Sequence, residues 1–343
     1  MKISYIVSSK NNPLYEGGFS INNSYKTFGQ HSFIYDLVHG FRNNDHDVVI
    51  YTDEVLAFPL TNIFHSQDIE VFQISEHSEI CSDIIFLDTI EDEILFRSVL
   101  VGFKIAIIHN YLIKHSTLLY ELSDCILCMT EMAKKRQSSL YSSNKFVVVN
   151  QAVDSVRFKP KEKLEKNQFN SVLIYSRMDK YKGKIYEPII EYLIESNFSI
   201  SIMGDGSVFQ YFKEKFKGLI TPLNHVPCYN IHDIIEAHDI IISNGRGVME
   251  GLMANKPTIA AGIRYCGLIN SSNITFHMQS NFTGSHLKTN EILIEKDIEK
   301  INAKKQIESR YLSMKYFDIN DFVNKIFKLR EKHIIKYANV LFR

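Results

Sequence analysis

The stretch Ile241–Gly262 reads IISNGRGVMEGLMANKPTIAAG. It starts inside an apolar strand, DIIISN (239–244), and turns through Asn244, Gly245, Arg246 and Gly247. A short helix bearing Glu250 follows, then a second apolar run, KPTIAAG (256–262). Strand, turn, helix and strand in that order are the repeating unit of parallel α/β sheets. The strand does not alternate with polar residues, so it is expected to be buried on both faces beneath helices. Where such a strand gives way to a helix, exposed N–H groups make a nest for an anion. Glycines on both sides of Arg246 leave the backbone free to approach a ligand. Glu250, one turn into the helix, would repel a phosphate on its own side. It suits two sugar hydroxyls, as acidic residues serve ribose in nucleotide sites. The plainer alternative is a helix carboxylate stabilised by the dipole.

The same alternation extends both ways. Toward the N-terminus, KISYIV (2–7), DVVIYT (47–52), DIIFLD (83–88), KIAIIH (104–109), CILCMT (125–130) and KFVVVN (145–150) read as buried strands, with a helix at HSFIYDLVHGFRNN (31–44). A second block has strands SVLIYS (171–176), SISIMG (199–204) and DIIISN, separated by helical stretches. The charged run KPKEKLEKNQ (159–168) has no apolar periodicity and is the linker candidate. This pattern predicts two doubly wound Rossmann-like α/β domains facing a cleft, at 1–155 and 156–322. An amphipathic helix over 323–343 is expected to pack across them. The polar face of that last helix is basic, so a contact with a membrane surface is its second reading.

Ligands in such sheets bind beyond the carboxyl ends of the strands. Gly17 and Gly18 sit in a polar loop after the first strand, a phosphate loop or a plain flexible one. His109 ends a strand and reads equally as a site residue or a structural histidine. Arg177 and Lys182 follow SVLIY on one loop with Gly183, a pair suited to a diphosphate. Gly204 and Gly206 in IMGDGS (202–207) read first as a tight turn.

Composition narrows the choices. Thirty-nine basic and 39 acidic side chains give zero net charge, so no global field gathers nucleic acid. Any anion site must be local. Cys125 and Cys128 form a C-x-x-C inside an apolar strand, where they point to opposite faces. They are expected to be buried structural thiols, not a redox or metal pair. No apolar segment approaches bilayer-spanning length, and MKISYIVSSKNN turns polar too soon for a signal peptide. A cytoplasmic location is expected, at the inner face of the membrane if the C-terminal helix meets lipid.

Four segments together resemble the retaining GT-B glycosyltransferases of family 4. NQAVDSVRFKP (150–160) is similar to that family's N-G-V-D-x-x-x-F-x-P segment, and YSRMDKYKGK (175–184) to its G-R-L-x-x-x-K-G loop. IMGDGS resembles its G-x-G-P turn, and GVMEGLMANKPTIAAG (247–262) its L-E-A-M-A-x-G-x-P-V-V-A element. The resemblance implies transfer of a sugar from a UDP- or GDP-sugar with retention at the anomeric carbon and no obligatory metal or cofactor. The acceptor would be a glycan or a lipid-linked precursor of a polysaccharide. It implies that Arg177 and Lys182 bind the diphosphate, that Glu250 binds ribose and that His109 meets the transferred sugar. Gly17 and Gly18 would lie near donor or acceptor.

The chain departs from the pattern where the family has a first glutamate, eight residues before Glu250. Ile242 stands there, inside the strand. Gly245, Arg246 and Gly247 form a shorter turn, and Arg246 is expected to supply a phosphate contact. Donor sugar, base, acceptor and linkage stay open. Two other functions remain: a GT-B UDP-sugar epimerase, and a non-catalytic nucleotide-sugar-binding protein. A dehydrogenase is disfavoured, since no G-x-G-x-x-G follows the first strand.

Overall fold

Runs of isoleucine and valine without polar alternation become the centres of two sheets. The computed structural model describes residues 1–8, 29–88, 98–109, 117–141, 144–160, 168–223 and 226–341, the last with side chains to 336. The expected loop glycines Gly17 and Gly18 lie outside the described residues. The chain divides into Met1–Asn150 with Ile319–Arg343, and Gln151–Asp318.

In the first unit the strands are β1 (Lys2–Val7), β2 (Asp47–Thr52), β3 (Glu70–Gln73), β4 (Glu79–Asp88), β5 (Val99–Ile108), β6 (Cys125–Cys128) and β7 (Phe146–Val148). They form one sheet in the order β3-β2-β1-β4-β5-β6-β7, and every pairing is parallel. The order reverses between β1 and β4. All four residues of β6 are buried, and Cys125 and Cys128 are unbridged. Burial pushes both thiols up to about 12.

The helix Gly29–Arg42 covers the sheet with Phe33, Ile34, Leu37, Val38 and Phe41. The C-terminal helix, Ile319–Leu341, seats on it. Phe322 meets Phe33 edge-on, Phe327 meets Phe41 and His46, and Arg330 reaches Asp83 at 2.8 Å. Gly40 makes room for Ile319: a Cβ there would strike the Ile319 side chain. The long amphipathic stretch thus closes the first unit with its apolar face.

In the second unit the strands are β8 (Ser171–Tyr175), β9 (Ser199–Met203), β10 (Thr221–Leu223), β11 (Ile240–Ser243), β12 (Thr258–Ala261) and β13 (Tyr265–Leu268). Their order is β10-β9-β8-β11-β12-β13, parallel except for β13, which runs against β12. This order reverses between β8 and β11. On one face the helix Gly183–Glu195 contributes Ile185, Tyr186, Ile189, Ile190 and Leu193, recurring at helical spacing. On the other lie the helix Arg246–Met253 and, against it, Ala303–Phe317, whose first turn is capped by Asn302.

The expected boundary near 155 falls inside the second unit. Val153 and Phe158 are fully buried there, and Val153 N–H donates to the Phe317 carbonyl. These two apolar residues, on either side of Asp154, tie the segment after Asn150 to the second core.

Candidate functional site

A crevice opens where strand order reverses, because the loops leaving the two neighbouring strands diverge. In the second unit that place is the carboxyl end of β8 and β11. Ser176 is its hub. Its hydroxyl accepts from Lys182 Nζ at 3.1 Å and from Asn244 Nδ2 at 2.8 Å. Lys182 also donates to the Arg177 carbonyl at 2.6 Å. Lys182, one of the two cations expected to serve a diphosphate, is therefore held beside the turn that follows β11, and the charge of Arg177 on the same loop acts on it.

Lys182 is only 9% exposed. Burial pushes its ammonium down from 10.5 to about 8; Asp179 pulls it back up, nearby Arg177 lowers it further, and Asp205 raises it. A cation so placed has exchanged water for a hydroxyl and a carbonyl, neither of which carries charge. An arriving anion would restore what burial took.

The neighbouring turn from β9 is locked to this loop through the backbone. Met178 N–H donates to the Asp205 carbonyl at 2.7 Å, and Ser176 N–H to the Met203 carbonyl at 3.1 Å. Gly204 is required by contact: a Cβ would strike the Ser176 carbonyl oxygen. Gly206 is required twice, since it has φ of 106° and packs on the Met178 carbonyl. Both glycines let the turns after β8 and β9 pack closely on each other.

After β11 the chain passes through Gly245 at φ 56° and enters the helix at Arg246. Gly247 packs against the Ser243 hydroxyl and the Tyr175 ring, where any side chain would clash. Arg246 and Glu250, read from sequence as separate ligands for phosphate and ribose, form one buried pair. Arg246 Nε donates to Glu250 Oε1 at 2.9 Å, and Nη1 to the Ala152 carbonyl at 2.8 Å. Arg246 is 5% exposed and Glu250 0%. The expectation that Arg246 contacts phosphate thus meets a guanidinium committed on two sides to the protein.

The first unit carries its own cluster at its own reversal point. His109 directly follows β5, and its Nε2 lies 2.9 Å from Asp88 Oδ2. Tyr5 donates its hydroxyl to the same oxygen. Asp88 is the last residue of β4, in a strand whose apolar run hid it. The signal was available: a carboxylate ending a doubly buried strand, as His109 ends the next. Ser176 and Asn244 were legible only as turn residues. Among the described residues, no group of three or more His, Cys, Asp or Glu is arranged to hold a metal ion.

The sequence matches no family model and no curated protein. Solved structures do resemble the fold. A glycosyltransferase from Rickettsia africae ESF-5 superposes with a TM-score of 0.64 at 16% identity, over 97% of this chain and 98% of that one. Anabaena Alr3699/HepE, solved with UDP and glucose, gives 0.60 at 13% identity, over 96% and 99%. A protein proposed to be a UDP-N-acetylglucosamine 2-epimerase from Listeria monocytogenes gives 0.58 at 10%, over 98% and 97%. The chain therefore has the two-domain GT-B fold. At these identities the likeness is one of fold, which glycosyltransferases share with proteins of the epimerase type.

Proposed function

We propose that the protein is a glycosyltransferase that moves a sugar from a nucleotide-diphosphate sugar to a glycan or lipid-linked acceptor with retention of configuration. The observation that carries this reading is the convergence of Lys182 and Asn244 on the Ser176 hydroxyl, with the charge of Arg177 near enough to lower the Lys182 ammonium. Two cations and a helix start at a sheet's reversal point suit a diphosphate. As the bond from sugar to diphosphate breaks, the leaving group gains charge, and preorganised cations stabilise that change. Glu250 would hold the ribose hydroxyls, with Arg246 keeping its carboxylate in place. Main-chain N–H groups from Gly245 to Gly247 would take a phosphate oxygen. His109 would meet the transferred sugar.

A thermal-shift screen with UDP, GDP, CDP and ADP and their sugars tests the donor site. A ligand that binds only the folded state must raise the melting temperature. If no nucleotide did so, the donor-site reading would fall. Donor hydrolysis by the wild type and its loss in Arg177→Ala would then separate an enzyme from a non-catalytic binder.

The Asp88–His109 pair also gives the epimerase reading a specific basis, because that reaction needs acid and base groups. Incubation with UDP-N-acetylglucosamine decides between them. Release of UDP without a 2-epimer supports transfer; a 2-epimer with the diphosphate bond conserved supports the alternative.

A further inference from the structure

A carboxylate buried in the middle of a sheet is expensive unless several donors compensate it. Asp88 is such a group. It ends β4 opposite Val7 of β1 and Ile107 of β5, at the point where the first sheet reverses order. It is fully buried. Burial alone would raise its carboxyl. The His109 ring, the Tyr5 hydroxyl and Gln30 outweigh burial and hold it below its ordinary value.

The groups around it are arranged about His109. Asp88 takes the hydrogen on Nε2, which places the ring proton there. Phe33 meets the imidazole edge-on, with ring centroids 5.6 Å apart and planes at 78°. Those two contacts fix the tautomer and the plane of the ring. Tyr5 then fixes the carboxylate by donating to the same Oδ2, and its own ring stacks on Phe86 at 5.6 Å. Burial, with Asp88 beside it, pushes the Tyr5 hydroxyl well above its ordinary value, so it stays a donor. His31, partly buried, is driven by burial to about 4; Asp88 opposes that shift and His109 adds to it. At neutral pH His31 is uncharged, so it does not compete as a cation for Asp88.

We propose that Asp88 is the positioning residue for His109, with Tyr5 as the hydroxyl that holds Asp88, so that the imidazole is presented in one orientation with its proton on Nε2. The catalytic consequence rests on the reading above, in which His109 meets the transferred sugar. Asp88 itself is closed off from substrate and acts through the ring.

The test uses the full chain with Asp88→Asn and Tyr5→Phe. For donor turnover, Asp88→Asn is expected to lower kcat by about tenfold to a hundredfold, with the donor KM within about twofold. Tyr5→Phe, which removes only the hydroxyl, should lower kcat by a smaller factor. Nitrogen-15 spectra of the histidine rings, with His109→Ala to identify the resonance, give a readout that does not depend on turnover. The wild type should show His109 as the Nε2–H tautomer, and Asp88→Asn should show a mixture. If Asp88→Asn fails to fold, Tyr5→Phe supplies both measurements. A variant with wild-type kcat, or one that leaves the tautomer unchanged, overturns the proposal. Should the wild type turn over no donor, the transferase reading falls, and the spectra alone still decide the relation between Asp88 and His109.

Discussion

Arg246 and Glu250 sit one helical turn apart and spend their charges on each other, with Nε 2.9 Å from Oε1 and both side chains buried. Removing one member of such a pair strands the other charge in the interior, at a cost of about 3–5 kcal/mol. Glu250→Ala is expected to destabilise the protein by about that amount, read from urea denaturation. The double variant Arg246→Ala/Glu250→Ala should lose less than the sum of the single losses, because the pair acts as a unit. Strictly additive losses would mean that the two side chains work separately, as ligands for different parts of a substrate.

Gly204 should be intolerant of even a methyl group. Its Cβ would strike the Ser176 carbonyl, a backbone atom that cannot swing aside. Gly204→Ala is expected to cost about 1–3 kcal/mol as overpacking. It should also weaken UDP binding, since Ser176 holds Lys182 and Asn244. Melting curves with and without UDP check both. A variant that melts and binds like the wild type would show that the β8 and β9 turns are not locked together.

What the sequence made legible depended on burial. Ile240–Ile242 and Ile105–Ile108 form strands buried on both faces, so the apolar run alone marks them. β3 and β10 were not legible, because edge strands are half solvated. Glu70 is exposed in one, and Pro222 sits in the other, where a missing N–H is tolerated. β13 breaks its run with Gly267, which takes φ of 83° beside Asp297. At the site, residue types at strand ends pointed to Arg177, Lys182 and Glu250. Who bonds whom was not legible, because partners such as Ala152 and Arg246 lie 94 residues apart in the chain. Asp88 escaped notice because its role is set by Tyr5 and His109, which meet it only in the folded sheet.

The seat of the C-terminal helix should respond to volume at Gly40. The Ile319 side chain occupies the place of a Cβ there, and Phe322, Val323 and Ile326 are buried around it. Gly40→Leu is expected to destabilise the first unit by about 1–3 kcal/mol. It should also speed proteolysis within 319–341. Unchanged cleavage in that helix would argue against its seat on Gly29–Arg42.

Lys182 gives the site a pH dependence of defined sign. Its ammonium titrates at about 8 in the folded protein and at its ordinary 10.5 when unfolded. Between those values the unfolded state binds more protons. This group's contribution to stability is therefore flat below about pH 8 and rises with pH across that window. Donor binding runs the opposite way, because a diphosphate favours the ammonium. Above about pH 8, binding must take up a proton, so affinity for a UDP-sugar should be about tenfold weaker at pH 9 than at pH 7. Calorimetry across that range measures it. Lys182→Met should bind more weakly at pH 7 and lose the slope. A wild-type affinity that stays level from pH 7 to pH 9, or a slope that survives in Lys182→Met, would remove Lys182 from the diphosphate site.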